Sequence, residues 1–206
     1  MKTNLIIFTS LLILLCSCSD MVRTIFIRDD NDPNLPAYTE WGYNSFGAKY
    51  EWLYFLVHRN IIPCKITYLT YQEGRLYFFL TGILGEDAYG DYDLFYPETM
   101  TLTVSFPSEP MYEYRDLLAL HGRVIDPLTL LPAECIERTG KAGMTVVPIK
   151  GHLTFRRAQL LRIDEKENRV VLSGSFDLQF LADDKPKSIT DGRFDAGIHT
   201  DFYNLD

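Results

Sequence analysis

Residues 99–106, Thr-Met-Thr-Leu-Thr-Val-Ser-Phe, alternate polar and apolar without a break. In a strand, successive side chains point to opposite faces. Met100, Leu102, Val104 and Phe106 therefore share one face, and Thr99, Thr101, Thr103 and Ser105 the other. Such a strand belongs to an antiparallel sheet with one face on the core, since strands of parallel sheets are covered on both faces and read as unbroken apolar runs.

The remainder of the chain is compatible with that sheet. Runs rich in β-branched and aromatic residues recur at 41–50, 51–58, 65–71, 75–80, 151–163 and 169–181. Gln72-Glu73-Gly74 separates two of them as a hairpin would, and Asp164-Glu165-Lys166-Glu167-Asn168 makes a polar turn between two others. Residues 188–195 read as a final edge piece. Gly174 within a strand predicts a bulge or a close approach, and Asp191-Gly192 a tight turn or bulge. No internal repeat and no helix–strand alternation occurs, which excludes a doubly wound α/β fold. The expected class is all-β, an antiparallel β-sandwich or partly open β-barrel with one short helix. For that helix Ser108 is the cap, Pro110 suits the first turn and Gly122 the stop. Met111, Tyr114, Leu117, Leu118 and His121 recur at helical spacing, so the helix is expected to plug a barrel end or cover an edge. Residues 125–144, with Pro127, Pro132, Gly140 and Gly143, read as loop.

The N-terminus carries a targeting pattern. Lys2 precedes an uncharged apolar run over residues 5–15. A helix that crosses a bilayer needs about 20 apolar residues, so this run reads as a secretory signal over residues 1–17. It closes on Leu15-Cys16-Ser17-Cys18. That ending resembles the lipobox of bacterial lipoproteins, with Cys18 as the lipidated residue and Cys16 as the alternative. Acyl chains on one cysteine anchor a protein without a transmembrane helix. The expected location is the bacterial envelope, at the outer membrane, facing either the periplasm or the surface. Residues 18–37, with Asp29, Asp30, Asn31, Asp32, Pro33 and Pro36, read as a flexible tether. Residues 38–206 form a single domain, long enough for a real core.

The formal net charge of −8 sets nucleic acid aside as a partner. Two further cysteines, Cys64 and Cys135, can form a disulfide outside the cytoplasm or stand as lone thiols.

Two stretches resemble signatures of small lipoproteins of gut Bacteroidetes, in families described as domains of unknown function. Trp41-Gly42-Tyr43-Asn44-Ser45-Phe46-Gly47-Ala48 is similar to their N-terminal run. Gly151-His152-Leu153-Thr154-Phe155, residues 172–180 and Ile189-Thr190-Asp191-Gly192-Arg193-Phe194-Asp195 are similar to their C-terminal one. The resemblance implies an all-β extracytoplasmic domain on a lipid anchor. It brings no catalytic residues with it.

Motifs for chemistry are sparse. His58, His121, His152 and His199 do not stand at zinc spacing with one another or with cysteine. Ser173-Gly174-Ser175 lacks the flanks of a nucleophile elbow. No cofactor is implied. The candidate ligand loop is residues 86–96, where Tyr89, Tyr92 and Tyr96 stand among Glu86, Asp87, Asp91 and Asp93. Tyrosine faces pack on sugars and carboxylates accept from hydroxyls or hold Ca2+, although the EF-hand spacing is not met. The same composition also suits a solvated loop whose aromatics fold back on the core. The expected function is a non-enzymatic module that binds a glycan or a protein. A glycan hydrolase and a structural or adhesion subunit are the alternatives.

Overall fold

The computed structural model describes residues 24–57, 74–86, 98–111, 113–126, 133–138, 144–162 and 168–198. Among the described residues nine strands run in the order β1 (Ser45–Tyr50), β2 (Leu53–Leu56), β3 (Arg75–Gly85), β4 (Thr99–Pro107), β5 (Val124–Ile125), β6 (Ala133–Arg138), β7 (Met144–Arg162), β8 (Asn168–Ala182) and β9 (Lys185–Ile198). Every ladder is antiparallel. Leaving aside the two-residue β5, each strand pairs with the next in the chain, and β9 returns to pair with β1. The all-β expectation holds, and of the two architectures the nearly closed up-and-down barrel is the one formed. Closure satisfies the backbone groups that a sandwich leaves on its edges. Residues 188–195 are accordingly not an edge piece: β9 is paired with β8 on one side and β1 on the other.

Local chemistry drives several of these connections. Asp183 and Asp184 both hold left-handed φ, 49° and 60°, in the two-residue turn that brings Lys185 opposite Ala182. That is the hairpin turn whose twist matches the strands it joins. Asp191, at φ 55°, is not in a turn but in a bulge, where β9 carries one residue more than its partners on β8 and β1. At Gly174 a Cβ would collide with the Thr154 carbonyl and the Phe194 ring, so β7 and β9 approach β8 as closely as they do only because that position is glycine.

The interior is filled. Met100, Leu102, Val104 and Phe106 all point inward, as the alternation requires. On the outer face Thr81 and Thr101 stand directly opposite and share a hydrogen bond of 3.0 Å. Ser105 departs from the expectation: it is 7% exposed, because the Arg75 guanidinium folds over it and donates to its carbonyl at 2.8 Å. A run of aromatic rings crosses the barrel. Phe155 lies 5.1 Å from Phe78, 5.6 Å from Phe106 and 5.8 Å from Phe194. The void left between Phe78, Leu102, Leu153 and Phe176 measures about 30 Å3, far below the size of a ligand cleft.

The helix forms later and tighter than its sequence suggests. It is a 3-10 helix over Tyr114–Leu120, started by Glu113, whose N–H donates to Asp116 Oδ2 at 2.9 Å. Ser108 does not cap it: the capping position falls at Glu113, and the Ser108 hydroxyl donates to Glu109 O at 3.1 Å. Gly122 ends it at φ 72° and donates its N–H to the Phe155 carbonyl. Tyr114, Leu117 and Leu120 are buried among the barrel's core residues, so the helix plugs the barrel as expected. Residues 125–144 are not wholly loop. β6 lies within them and joins β4 to β7, a pairing that its prolines and glycines on either side conceal.

The tether expected over residues 18–37 is described from residue 24, and from there it lies on the barrel. Leu35 is fully buried. Ile25 N donates to Tyr43 O, Asp29 N to Leu35 O and Ala37 N to Ile27 O. The acids that look solvated in sequence have partners on the barrel strands. Asp29 pairs with Arg193 at 2.5 Å, and Asp32 with Lys49 at 2.7 Å. Partial burial alone would raise both carboxyls. The N–H groups of Asp32 and Asn31 with Arg193 outweigh it at Asp29, and Lys49, the Asn34 N–H and the Tyr54 hydroxyl outweigh it at Asp32, so both sit below the usual carboxylate range. A depressed folded pKa stabilises above the unfolded value and is lost as pH falls through the folded one. A protein carrying Asp29→Asn and Asp32→Asn is therefore expected to be less stable than wild type at neutral pH. It should also lose less stability between about pH 5 and pH 2. Urea unfolding at each pH measures this, and parallel losses in the two proteins would remove the clamp from the account.

Candidate functional site

Among the described residues a recess lies on the outer wall of the barrel, and a buried carboxylate holds the segment that forms one side of it. Asp195 is on β9, opposite Ser45 at the start of β1. It is 1% exposed. Its Oδ2 accepts from Thr39 Oγ1 at 2.5 Å, Trp41 N at 3.1 Å and Tyr43 N at 3.2 Å, and its Oδ1 accepts from Gly42 N at 2.8 Å. Next to it, the Asn44 side chain accepts from Gly197 N at 2.9 Å. The two short motifs at opposite ends of the chain thus meet, and together they lay residues 38–43 across the outer face of β8 and β9.

The recess lies between that segment and β7 and has a volume of about 310 Å3. A bulge shapes its far side. Phe155 opposes Gly174 while Arg157 opposes Ser173, so Arg156 is the extra residue. Phe155 and Ala158 then face inward, and both arginines stand on the outer wall. Arg157 Nη1 donates to Glu40 Oε2 at 2.6 Å, and its Nε donates to Gln159 Oε1 at 2.6 Å. Tyr38 OH donates to Glu40 Oε1 at 2.8 Å. The Arg156 guanidinium lies 5.0 Å above the Tyr38 ring. Arg157, with Tyr38, holds the Glu40 carboxyl below its ordinary range. Burial, reinforced by Glu40, pushes the Tyr38 hydroxyl up to about 12, so it stays a proton donor at any physiological pH. Leu161 and Val171 supply apolar lining, and Trp41 stands at the rim, 63% exposed.

This arrangement suits binding. Glu40 is the carboxylate of the recess, and each of its oxygens is held by a donor, which leaves it poorly placed for proton transfer. Away from it, His152 Nδ1 and Asp177 Oδ2 lie 2.6 Å apart across the β7–β8 ladder, both well exposed. His121 accepts a hydrogen bond from Ala158 N. Among the described residues no three or more His, Cys, Asp or Glu side chains gather as metal ligands.

Cys18, Cys64 and the loop with Tyr89, Tyr92, Tyr96, Asp91 and Asp93 lie outside the described residues, as does the side chain of Cys135. Sequence reasoning passed over Tyr38, Glu40, Arg157 and Gln159. The usable signal was the Arg156-Arg157 doublet, which interrupts the alternation of β7 between two inward residues. Compared with protein-family models, curated proteins and solved structures, the chain matches none.

Proposed function

We propose that this chain is a lipid-anchored binding module of the bacterial envelope, held at the outer membrane, that retains a ligand without transforming it. The observation that carries the binding reading is the outer-wall recess, with an exposed tryptophan beside a preformed Tyr38–Glu40–Arg157–Gln159 network. Its polar groups are ordered by one another before any ligand arrives, which lowers the cost of association. The hydrolase alternative draws less support, because it requires two carboxylates about 5–10 Å apart across the substrate. The second carboxylate here, Asp195, is already bound to four donors. The adhesion alternative would use an open sheet edge; among the described residues each of the eight main strands has a partner on both sides over part of its length.

The anchor rests on the lipobox-like Leu15-Cys16-Ser17-Cys18 and on the resemblance to Bacteroidetes lipoproteins. Cys18→Ala is expected to leave the precursor uncleaved and to abolish palmitate incorporation. Normal incorporation would move the lipid to Cys16 or sink the anchor. For the binding reading, purified full-length protein is incubated with envelope polysaccharide and protein fractions. The expected result is retention of one fraction with no new reducing ends released. Steady release of reducing ends would make the protein a hydrolase, and retention of neither fraction would defeat the module reading.

A further inference from the structure

We infer that the recess between residues 38–41 and β7 takes an uncharged, multiply hydroxylated ligand, a neutral sugar unit of a glycan, with the Trp41 indole as its stacking face. The inference rests on the binding-module reading above and adds the ligand class and the place.

Four observations converge on it. Trp41 is the largest side chain at the rim and is mostly exposed, yet its backbone is immobilised, because its own N–H and those of Gly42 and Tyr43 are bound by Asp195. An exposed aromatic on a fixed backbone offers contact area at little entropic cost on binding. The two charged groups that line the recess, Glu40 and Arg157, are paired with each other, so the lining carries no net charge to select an ion. Hydrogen-bonding capacity remains on the rim. The Gln159 amide nitrogen and the Trp41 indole N–H have no protein partner among the described residues, and carboxylate oxygens accept more than one bond. The volume, about 310 Å3, lies at the small end of ligand clefts, which run from about 300 to 1,000 Å3. A pyranose has an apolar C–H face and a rim of hydroxyls, which matches an indole face beside a neutral donor–acceptor network. An anion would meet Glu40, and a cation Arg157.

The chain holds two tryptophans, Trp41 and Trp52, so a Trp52→Phe full-length protein makes Trp41 the sole fluorophore of its kind. Neutral oligosaccharides built on glucose, mannose, galactose and xylose are titrated against it, alongside uronate-containing and sulfated ones. At least one neutral series is expected to change the Trp41 emission saturably. Trp41→Ala is expected to weaken retention on an array of the same glycans at least tenfold with an unchanged thermal midpoint, since the side chain is exposed and the N–H to Asp195 is kept. Arg157→Gln should weaken it comparably. Binding of acidic glycans only would overturn the ligand class. Equal retention by wild type and both variants would overturn the location. No emission change and no retention with any glycan would overturn the inference outright. Retention of an envelope protein fraction in that last case would leave the module reading standing, so the two failures are told apart.

Discussion

A Phe155→Ala protein is expected to lose about 3–5 kcal/mol of unfolding free energy, the usual range for truncating a fully buried phenylalanine. Phe155 is fully buried on β7, and its ring touches Phe78 on β3, Phe106 on β4 and Phe194 on β9. Truncation therefore opens a cavity where strands from opposite walls meet, and no single neighbour can collapse into it. The backbone of the same residue binds Gly122 N and Arg123 O, so the chain leaving the plug helix is held to the strand that lost its side chain. A domain of this size has a total stability of about 5–15 kcal/mol, and such a loss removes a large part of it. Urea denaturation measures it. Phe155→Leu should cost markedly less, because it keeps most of the volume. An unchanged midpoint for Phe155→Ala would mean that the aromatic run is not the centre of the core.

Asp195→Ala is expected to cost about 3 kcal/mol or more, for a different reason. The substitution removes little apolar area. It orphans three backbone N–H groups and the Thr39 hydroxyl, each worth roughly 1–3 kcal/mol when buried without a partner, with water entry offsetting part of the sum. Asp195→Asn should fall between the two proteins, because its amide keeps one acceptor oxygen and turns a donor toward N–H groups. The loss has a place as well as a size. Residues 38–43 should become the first site of limited proteolysis, and the recess they border should lose any affinity it has. Full stability and an intact 38–43 segment in Asp195→Ala would show that β1–β9 pairing alone holds that segment down.

The strand faces are legible in the amino-acid order alone. Period-two alternation over residues 99–106 reports which side chains are buried, because burial on one face of a strand is a local, repeating constraint. The glycine at 174 is legible for a similar reason, since a missing Cβ inside a strand has few causes. Gly122 is readable as a helix stop, while the start is not: Glu113 and Asp116 form the reciprocal cap, in place of the usual Ser or Thr followed by Glu or Gln. The same limit explains the larger misses. Asp29 and Asp32 have the composition of a solvated tether, and become a clamp only because Arg193 and Lys49 are carried past them by barrel strands. β6 is hidden between prolines and glycines, and is a strand because β4 and β7 leave a gap of its width. Glu40 and Arg157 are 117 residues apart, and Asp195 lies more than 150 from the N–H groups it binds. By itself the sequence determined the all-β class and the buried faces, which depend on neighbours a few residues away. Assembly of the barrel decided the clamp, the recess and its charge balance, because those interactions join the N-terminal segment to groups on β1, β7 and β9 that only the tertiary fold brings beside it.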